Sequence, residues 1–136
     1  MATTFSYQEN GSTKFGRIYV PIARVRFFWP KTKSRIDPVL IVDTGADFTI
    51  LPNYLGRDLG ISFKDDCIEE SIGGVGGTRK TFFVKQLVPV EIGKFRRNVP
   101  LAIMEDDSVP PLLGRLGFFE TFNVEFLKTK KINFKD

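Results

Sequence analysis

One acidic residue follows an apolar stretch and enters a tight turn. Residues 39–42, Val-Leu-Ile-Val, lead directly into Asp43-Thr44-Gly45. A carboxylate at the end of an apolar strand is costly unless it is hydrogen-bonded or shares a proton, and groups held at such a cost are often functional. Asp43 is therefore a candidate for acid–base chemistry. A solvated Asp in an ordinary strand and turn is the alternative that three residues alone leave open.

The composition restricts which hydrolytic chemistry is available. The chain has 136 residues, no histidine and a single cysteine, Cys67. Nucleophilic hydrolysis by Ser-His-Asp or Cys-His groups lacks its base, and the common zinc hydrolase sites lack their ligands. If the protein is a hydrolase, its catalytic groups must therefore be carboxylates. One cysteine rules out an internal disulfide and fits a reducing compartment, with Cys67 as a structural thiol.

Charge and hydropathy give expectations about partners and compartment. The N-terminal residues contain neither a basic start nor an apolar core of a signal sequence, and no apolar run is long enough to span a bilayer. The net charge is +4, with the Lys and Arg residues scattered along the chain. We therefore expect a cytoplasmic protein that binds neither nucleic acid nor membrane, because nucleic-acid binding requires a concentrated basic stripe or a recognised module.

The elements that must position Asp43 are predicted to be strands. Alternating apolar residues over 18–27 indicate a half-buried strand, and residues 39–42 indicate a strand buried on both faces, followed by a further strand over 48–51. Long strands are also predicted over residues 82–90 and 95–104. A brief helical turn is expected at Pro52-Asn53 and a second short helix over 116–121.

The chain is predicted to contain one domain. No internal repeat or low-complexity segment is visible. We expect a polar and loose N-terminal extension over residues 1–16, followed by a single domain over 17–136. Lys131-Ile132-Asn133-Phe134 alternates like an edge strand that either pairs across a dimer or covers an edge within its own chain.

A glycine-rich segment, residues 71–78, lies between two predicted strands. Its sequence is Ser-Ile-Gly-Gly-Val-Gly-Gly-Thr, which is typical of a hairpin tip whose backbone can approach a ligand closely. A phosphate-binding loop is a weaker alternative, because no Lys-Ser/Thr and no helical pattern follow. A hairpin that is merely flexible is the third interpretation.

A third segment resembles the approach to Asp43. Leu112-Leu113-Gly114-Arg115 again places two apolar residues before a glycine. A strand ending in Leu-Leu-Gly can pack beside the Asp43 turn with the two backbones in close approach. Arg115 would then emerge near Asp47, which is a natural partner for a charge-assisted hydrogen bond.

Taken in this order, the three segments resemble the retropepsin-like (retroviral-type) aspartic proteases, especially their cellular single-domain members. The resemblance extends over residues 17–127, and its most specific parts are residues 40–47, residues 72–77 and Leu112-Leu113-Gly114-Arg115. It implies an all-β fold, namely a closed and mostly antiparallel acid-protease barrel with a flap hairpin and one or two short helices. It also implies a homodimer in which each chain supplies one catalytic aspartate.

The resemblance implies roles for individual residues. Asp43 would be the catalytic carboxylate, Thr44 would join the two catalytic loops across the dimer axis, and Gly45 would present its carbonyl to the substrate backbone. Asp47 would bind the substrate main chain and pair with Arg115. The candidate site then comprises the catalytic residues Asp43, Thr44 and Gly45 and the substrate-binding residues Ala46, Asp47, Ile72, Gly74, Val75, Gly76 and Arg115.

The implied activity is that of an aspartic endopeptidase acting on protein or peptide substrates without a metal or cofactor. Two carboxylates within about 3 Å of each other share one proton, so one acts as base towards a water and the other as acid. Ala46 occupies a position where many pepsin-like relatives carry Ser. Because that hydroxyl donor is missing, we expect activity to extend to milder acidity.

Two other functions remain open at this point. The first is a catalytically silent peptide-binding or assembly module with the same fold, since a stable monomer would leave Asp43 without its partner. The second is a nucleotide-binding protein that uses the glycine-rich hairpin, which the absence of a helix after the loop disfavours.

Overall fold

The computed structural model describes residues 1–74 and 77–136, and it confirms a mainly β protein. Strands account for 54% of the chain and helices for 11%. The helices are α1 (Asn53–Leu59) and α2 (Phe63–Asp66), and a 3₁₀ turn spans Phe119–Thr121. The strands are β1 (Ala2–Ser6), β2 (Gln8–Thr13), β3 (Gly16–Val20), β4 (Ile22–Arg24), β5 (Arg26–Trp29), β6 (Ser34–Ile36), β7 (Val39–Val42), β8 (Thr49–Leu51), β9 (Cys67–Gly74), β10 (Gly77–Val84), β11 (Val88–Ile92), β12 (Phe95–Val99), β13 (Leu101–Met104), β14 (Leu112–Leu113), β15 (Asn123–Leu127) and β16 (Lys131–Lys135).

The largest sheet contains all three segments that the sequence singled out. Its strand order is β4-β7-β14-β8-β13-β10-β9. The short strand β14 lies between β7 and β8, parallel to β7 with Leu113 opposite Val42, and antiparallel to β8 with Leu112 opposite Ile50. The prediction that Leu112-Leu113 packs beside the strand leading to Asp43 is therefore confirmed.

The remaining strands form three smaller sheets. These have the orders β12-β11-β5-β6 and β1-β16-β15, and β2 pairs with β3. Among the described residues no sheet closes on itself, so the closed barrel that the resemblance implies is not confirmed. Within the same residues, no helix is long and apolar enough to cross a membrane.

The core fills the space between the sheets and is rich in aromatic residues. Along β7, Leu40 and Val42 are buried whereas Val39 and Ile41 are only partly buried. The strand leading to Asp43 was predicted to be buried on both faces, and the structure instead covers one face fully and the other in part. The largest fully buried side chains are Trp29, Phe27, Phe118, Phe134, Leu40, Leu51, Leu59, Ile92, Leu101, Ile103, Leu113 and Ile132.

The N-terminal residues are ordered into strands, in contrast to the loose extension that we expected. β1 pairs with β16 along its whole length, from Ala2 opposite Lys135 to Ser6 opposite Lys131. β16 pairs with β15 on its other side and is the central strand of its sheet. The tail therefore pairs within its own chain, as one of the two alternatives had it, but the prediction of an edge strand is wrong, because β16 is paired on both sides.

The predicted long strands are interrupted. Residues 18–27 divide into β3, β4 and β5 with breaks at Pro21 and Val25, and residues 95–104 divide into β12 and β13 at Pro100. Proline lacks the N–H that would continue a ladder of hydrogen bonds, which explains the breaks at Pro21 and Pro100. Residues 82–90 divide between Val84 and Val88. The helix predicted over 116–121 is only the 3₁₀ turn, while the turn at Pro52-Asn53 opens the seven-residue helix α1.

Candidate active site

The Asp43 carboxylate is held by the turn that follows β7. The Gly45 N–H donates to Asp43 Oδ1 at 2.9 Å, and the Ala46 N–H donates to the Asp43 carbonyl at 3.2 Å. A short polar side chain that accepts a hydrogen bond from the backbone two residues later is a common way of closing such a turn. Asp43 is half-buried, and Thr44 and Gly45 are exposed beside it. The carboxylate is therefore fixed in orientation and still accessible from solvent.

Strand β14 fixes the backbone of Asp43 from the other side. The Asp43 N–H donates to the Leu113 carbonyl at 3.1 Å, and the Ile41 N–H donates to the Pro111 carbonyl at 2.9 Å. Both bonds belong to the parallel pairing of β7 and β14. The position of Asp43 thus depends on where Leu113 lies.

Gly114 permits this arrangement because it has no side chain, and the segment that follows the Asp43 turn passes directly beside it. Its N–H donates to the hydroxyl of the fully buried Thr49 at 3.1 Å. A Cβ atom at this position would lie 2.2 Å from the carbonyl carbon and oxygen of Phe48. Only glycine fits so close to another backbone, which confirms the predicted close approach of the two segments.

Asp47 and Arg115 form the predicted ion pair. Arg115 Nη2 donates to Asp47 Oδ1, and both side chains are partly exposed. Two backbone bonds run alongside, from the Arg115 N–H to the Ala46 carbonyl at 3.0 Å and from the Leu116 N–H to the Asp47 carbonyl at 2.9 Å. Residues 46–47 and 115–116 therefore form one rigid unit directly after Asp43.

The described parts of the glycine-rich segment, residues 71–74 and 77–78, form the outer ends of the paired strands β9 and β10. Ile72 lies opposite Arg79, and Gly74 lies opposite Gly77. The other two predicted hairpin residues, Val75 and Gly76, lie outside the described residues. Nearer its base, the hairpin contacts the Asp43 region, because the Phe83 ring packs edge-on against Phe48 with ring centroids 5.0 Å apart.

Sequence reasoning missed the loop that precedes β14, residues 105–108. Asp106 Oδ1 accepts hydrogen bonds from the Ser108 hydroxyl at 2.7 Å and from the Ser108 N–H at 3.0 Å, and Arg79 Nη1 contacts Asp106 Oδ2 at 3.0 Å. These hydrogen bonds and the Arg79 charge lower the pKa of Asp106. The sequence signal was an acidic run, Glu105-Asp106-Asp107, close before Leu-Leu-Gly.

The described residues offer no cluster of three or more Cys, Asp or Glu side chains suited to a metal ion. The arrangement instead suits carboxylate chemistry. It holds one oriented and accessible Asp43, an adjacent Asp47–Arg115 pair and a hairpin in the same sheet.

Comparison with known proteins identifies the family. A family model described as "Aspartyl protease" matches residues 36–116, which is more than half of the chain. The match includes the Asp43 turn, the β9–β10 hairpin and Leu112-Leu113-Gly114-Arg115, the same segments that carry the resemblance to retropepsin-like enzymes. A comparison with curated proteins gave no match. On the family match and the site geometry together, this chain belongs to the aspartyl protease family.

Proposed function

We propose that the protein is an aspartic endopeptidase that hydrolyses peptide bonds through a water activated by the two Asp43 carboxylates of a homodimer. The observation that carries the proposal is the fixed Asp43 carboxylate, with Oδ1 bonded to the Gly45 N–H at 2.9 Å and the backbone bonded to β14. The sequence contains one Asp-Thr-Gly, so a second copy of the chain must supply the second carboxylate.

The mechanism follows from the proximity of two carboxylates. At about 3 Å they do not both ionise, and they share one proton. The ionised carboxylate removes a proton from the water as the water attacks the scissile carbonyl carbon. The protonated carboxyl donates its proton to the carbonyl oxygen as the tetrahedral species forms. The proton taken from water then passes to the leaving nitrogen as the C–N bond breaks, and a hydroxyl of the tetrahedral species returns one proton to the carboxylate pair. No metal or organic cofactor enters this sequence of steps.

The neighbouring residues receive the following roles in the proposal. Thr44, exposed at the tip of the turn, contacts the equivalent loop of the second chain, and the Gly45 carbonyl accepts a hydrogen bond from the substrate backbone. Ala46 and Asp47 line the cleft, where Asp47 binds the substrate main chain and is oriented by Arg115. The hairpin residues Ile72, Gly74, Val75 and Gly76 form a flap over an extended peptide.

A catalytically silent peptide-binding module is the second candidate. One observation favours it: β16 is enclosed between β1 and β15 of its own chain, so neither edge of β16 is free to pair with a second copy. Without a partner, Asp43 has no second carboxylate with which to share a proton. This candidate therefore predicts a monomer that binds extended peptides and leaves them intact.

The deciding experiment is cleavage of an unbiased peptide mixture by the wild-type protein and by Asp43→Asn. Mass spectrometry of the products is performed from mildly acidic to neutral pH at several protein concentrations. We expect cleavage to disappear in Asp43→Asn, to persist in the control Asp58→Asn, which alters an exposed carboxylate in α1, and to rise faster than linearly with concentration.

A mixing experiment separates the dimer from an active monomer. Excess Asp43→Asn protein added to the wild type forms mixed dimers with one intact carboxylate, so activity per wild-type chain falls. Unchanged activity per chain would contradict the shared site. No cleavage under any condition, together with a monomer in solution, would exclude the dimeric protease, and binding of intact peptides by that monomer would establish the binding module instead.

We also propose the cytoplasm as the compartment. The single cysteine, Cys67, gives the fold no disulfide that would require an oxidising environment.

A further inference from the structure

The outer half of the β9–β10 hairpin extends beyond the sheet to which the hairpin belongs. β10 pairs with β13 only over Thr81–Phe83, where Thr81 lies opposite Met104, the last residue of β13. Residues 71–74 and 77–80 pair with each other and, among the described strands, with no third one. An isolated two-stranded ribbon is only marginally stable in water, so the position of this half depends on other contacts.

Arg79 supplies such a contact. Its Nη1 donates to Asp106 Oδ2 at 3.0 Å and to the Ser108 hydroxyl at 3.2 Å. The next residue, Lys80, pairs instead with Glu69 at 3.4 Å, within the hairpin itself. Arg79 therefore connects the outer half to a different part of the fold, while its neighbour of equal charge does not.

The acceptor of this contact is itself rigid. Ser108 donates to Asp106 Oδ1 through both its N–H and its hydroxyl, so the carboxylate keeps one orientation. The loop also covers the N-terminus of α1, where the Asn53 N–H donates to the Asp106 carbonyl at 3.3 Å and the Tyr54 N–H donates to Asp107 Oδ1 at 2.7 Å. Pro52 offers no side-chain cap at this helix end, so the loop takes that role.

The same loop leads directly into β14, the strand to which the backbone of Asp43 is hydrogen-bonded. Three residues after Ser108, the Pro111 carbonyl accepts from the Ile41 N–H, and the Leu113 carbonyl then accepts from the Asp43 N–H. A short and well-anchored segment thus separates the Arg79 contact from the catalytic turn. Through this segment, the outer half of the hairpin and the Asp43 turn are anchored to the same part of the fold.

We propose that Arg79 is a positioning residue, which by its bonds to Asp106 and Ser108 holds the outer half of the hairpin in register with the Asp43 turn for binding an extended peptide. Its effect on peptide binding rests on the proposed protease function, but the contact itself does not. Without Arg79, the substrate has to order the hairpin as it binds, which weakens binding and leaves the chemical step unchanged.

Hydrogen exchange tests the contact without any enzymatic activity. In Arg79→Gln we expect the amides of the outer half, such as those of Ser71 and Lys80, to exchange about two- to fivefold faster, as suits a partly exposed ion pair. Amides at the base, over Thr81–Val84, should exchange as in the wild type. Lys80→Gln is the matched control, because the Lys80–Glu69 pair is about as exposed as the Arg79–Asp106 pair.

Two further variants distinguish the specific pair from a general loss of charge. Adding Asp106→Asn to Arg79→Gln should produce no further acceleration, because the partner has already been lost. Arg79→Lys should restore part of the protection. Equal exchange in the wild type and Arg79→Gln, additive effects in the double variant, or the same acceleration in Lys80→Gln would overturn the proposal.

Kinetics test the consequence for the proposed reaction. We expect Arg79→Gln to raise KM for a peptide substrate about two- to fivefold and to leave kcat within about twofold, whereas a merely misfolded fraction would lower kcat instead. A fall in kcat at constant KM would contradict the positioning role. If the wild type shows no cleavage, the protease proposal fails while the exchange experiment still decides the role of Arg79.

Discussion

Gly114 lies against the backbone of Phe48 so closely that a side chain has no room between them. A Cβ atom at position 114 would come within 2.2 Å of the Phe48 carbonyl group and 2.7 Å of the Thr49 nitrogen. Neither neighbour is the end of a flexible side chain, so neither moves without displacing β8. The contact therefore fixes β14, and with it the Leu113 carbonyl that binds the Asp43 N–H.

The first prediction is that Gly114→Ala strongly destabilises the fold. We expect the free energy of unfolding to fall by about 3 kcal/mol or more, because the overpacked neighbours are backbone atoms. Urea unfolding followed by tryptophan fluorescence measures it. Gly56→Ala is the comparison variant: its Cβ would lie 2.9 Å from the side chain of the buried Ile103 and from no backbone atom, so we expect a smaller loss of stability than in Gly114→Ala. Equal midpoints for Gly114→Ala and the wild type would refute the close approach.

The second prediction concerns the Asp47–Arg115 pair. Both side chains are partly exposed, so Asp47→Asn and Arg115→Gln should each change the free energy of unfolding by less than about 1 kcal/mol. The same variants should lower kcat/KM about tenfold, because a charged acceptor for the substrate backbone is lost or misoriented. The remote pair Arg26–Asp37 provides the control variant Arg26→Gln. Full activity in Asp47→Asn would exclude the binding role.

The third prediction is that Ala46→Ser extends activity to lower pH. A hydroxyl beside the turn would donate to the ionised member of the carboxylate pair and stabilise that charged form. The acidic limb of the profile of kcat/KM against pH should therefore move to lower pH, while the basic limb stays in place. Superimposable profiles for the variant and the wild type would show that residue 46 does not reach the carboxylates.

The fourth prediction links stability to pH through Asp66. Burial alone would raise the pKa of Asp66, but hydrogen bonds from Lys31 Nζ and the Ser62 N–H, both at 2.8 Å, outweigh it and lower the pKa. A carboxyl whose pKa is lower in the folded state stabilises the protein above its unfolded pKa, and this contribution is lost as the pH falls through the folded pKa.

Asp66→Ala should consequently lower the free energy of unfolding at pH 7 by about 1–3 kcal/mol, since it leaves the Ser62 N–H without its acceptor. Its stability should also fall less than that of the wild type between pH 7 and pH 3. Urea unfolding at both pH values measures the two effects, with Asp65→Ala, an exposed neighbour, as control. Parallel losses in wild type and Asp66→Ala would contradict the linkage.

The fifth prediction is that Cys67 is inert in the native state. Burial, with a further contribution from the Asp66 charge, raises the pKa of the Cys67 thiol to about 11. At pH 8 we expect native protein to react with iodoacetamide at least about a hundredfold more slowly than protein unfolded in urea, because the thiolate is the reactive species. As Cys67 is the sole cysteine, the total alkylation reports on it alone. Similar rates of alkylation in native and urea-unfolded protein would disprove the prediction.

The features of the site that sequence reasoning found have strong local signals. An apolar run ending in Asp-Thr-Gly predicts a strand and a turn, and Leu-Leu-Gly predicts a second strand whose glycine admits a close neighbour. The pairing of Asp47 with Arg115 then follows once the two segments lie side by side. Each inference required only a few consecutive residues and the steric properties of glycine.

Features that depend on distant residues could not be inferred in this way. Nothing in Ala2–Ser6 indicates that its partner is Lys131–Lys135, because Thr3 and Phe5 give only a weak alternation. The Arg79–Asp106 contact likewise joins an ordinary surface cation to one of three consecutive acidic residues. The missed helix α2 did have a local signal, since Ser62 caps it by accepting from the Asp65 N–H.

The central position of β16 has a consequence for how the protein is made. Its Ile132 and Phe134 side chains are fully buried, and Phe134 packs edge-on against Phe5 of β1. β1 is synthesised before β16, and its partner residues lie about 130 residues later in the chain. We expect this sheet to form only once β16 has left the ribosome, so that Phe5 stays exposed on the nascent chain to chaperones and to other unfinished copies until then.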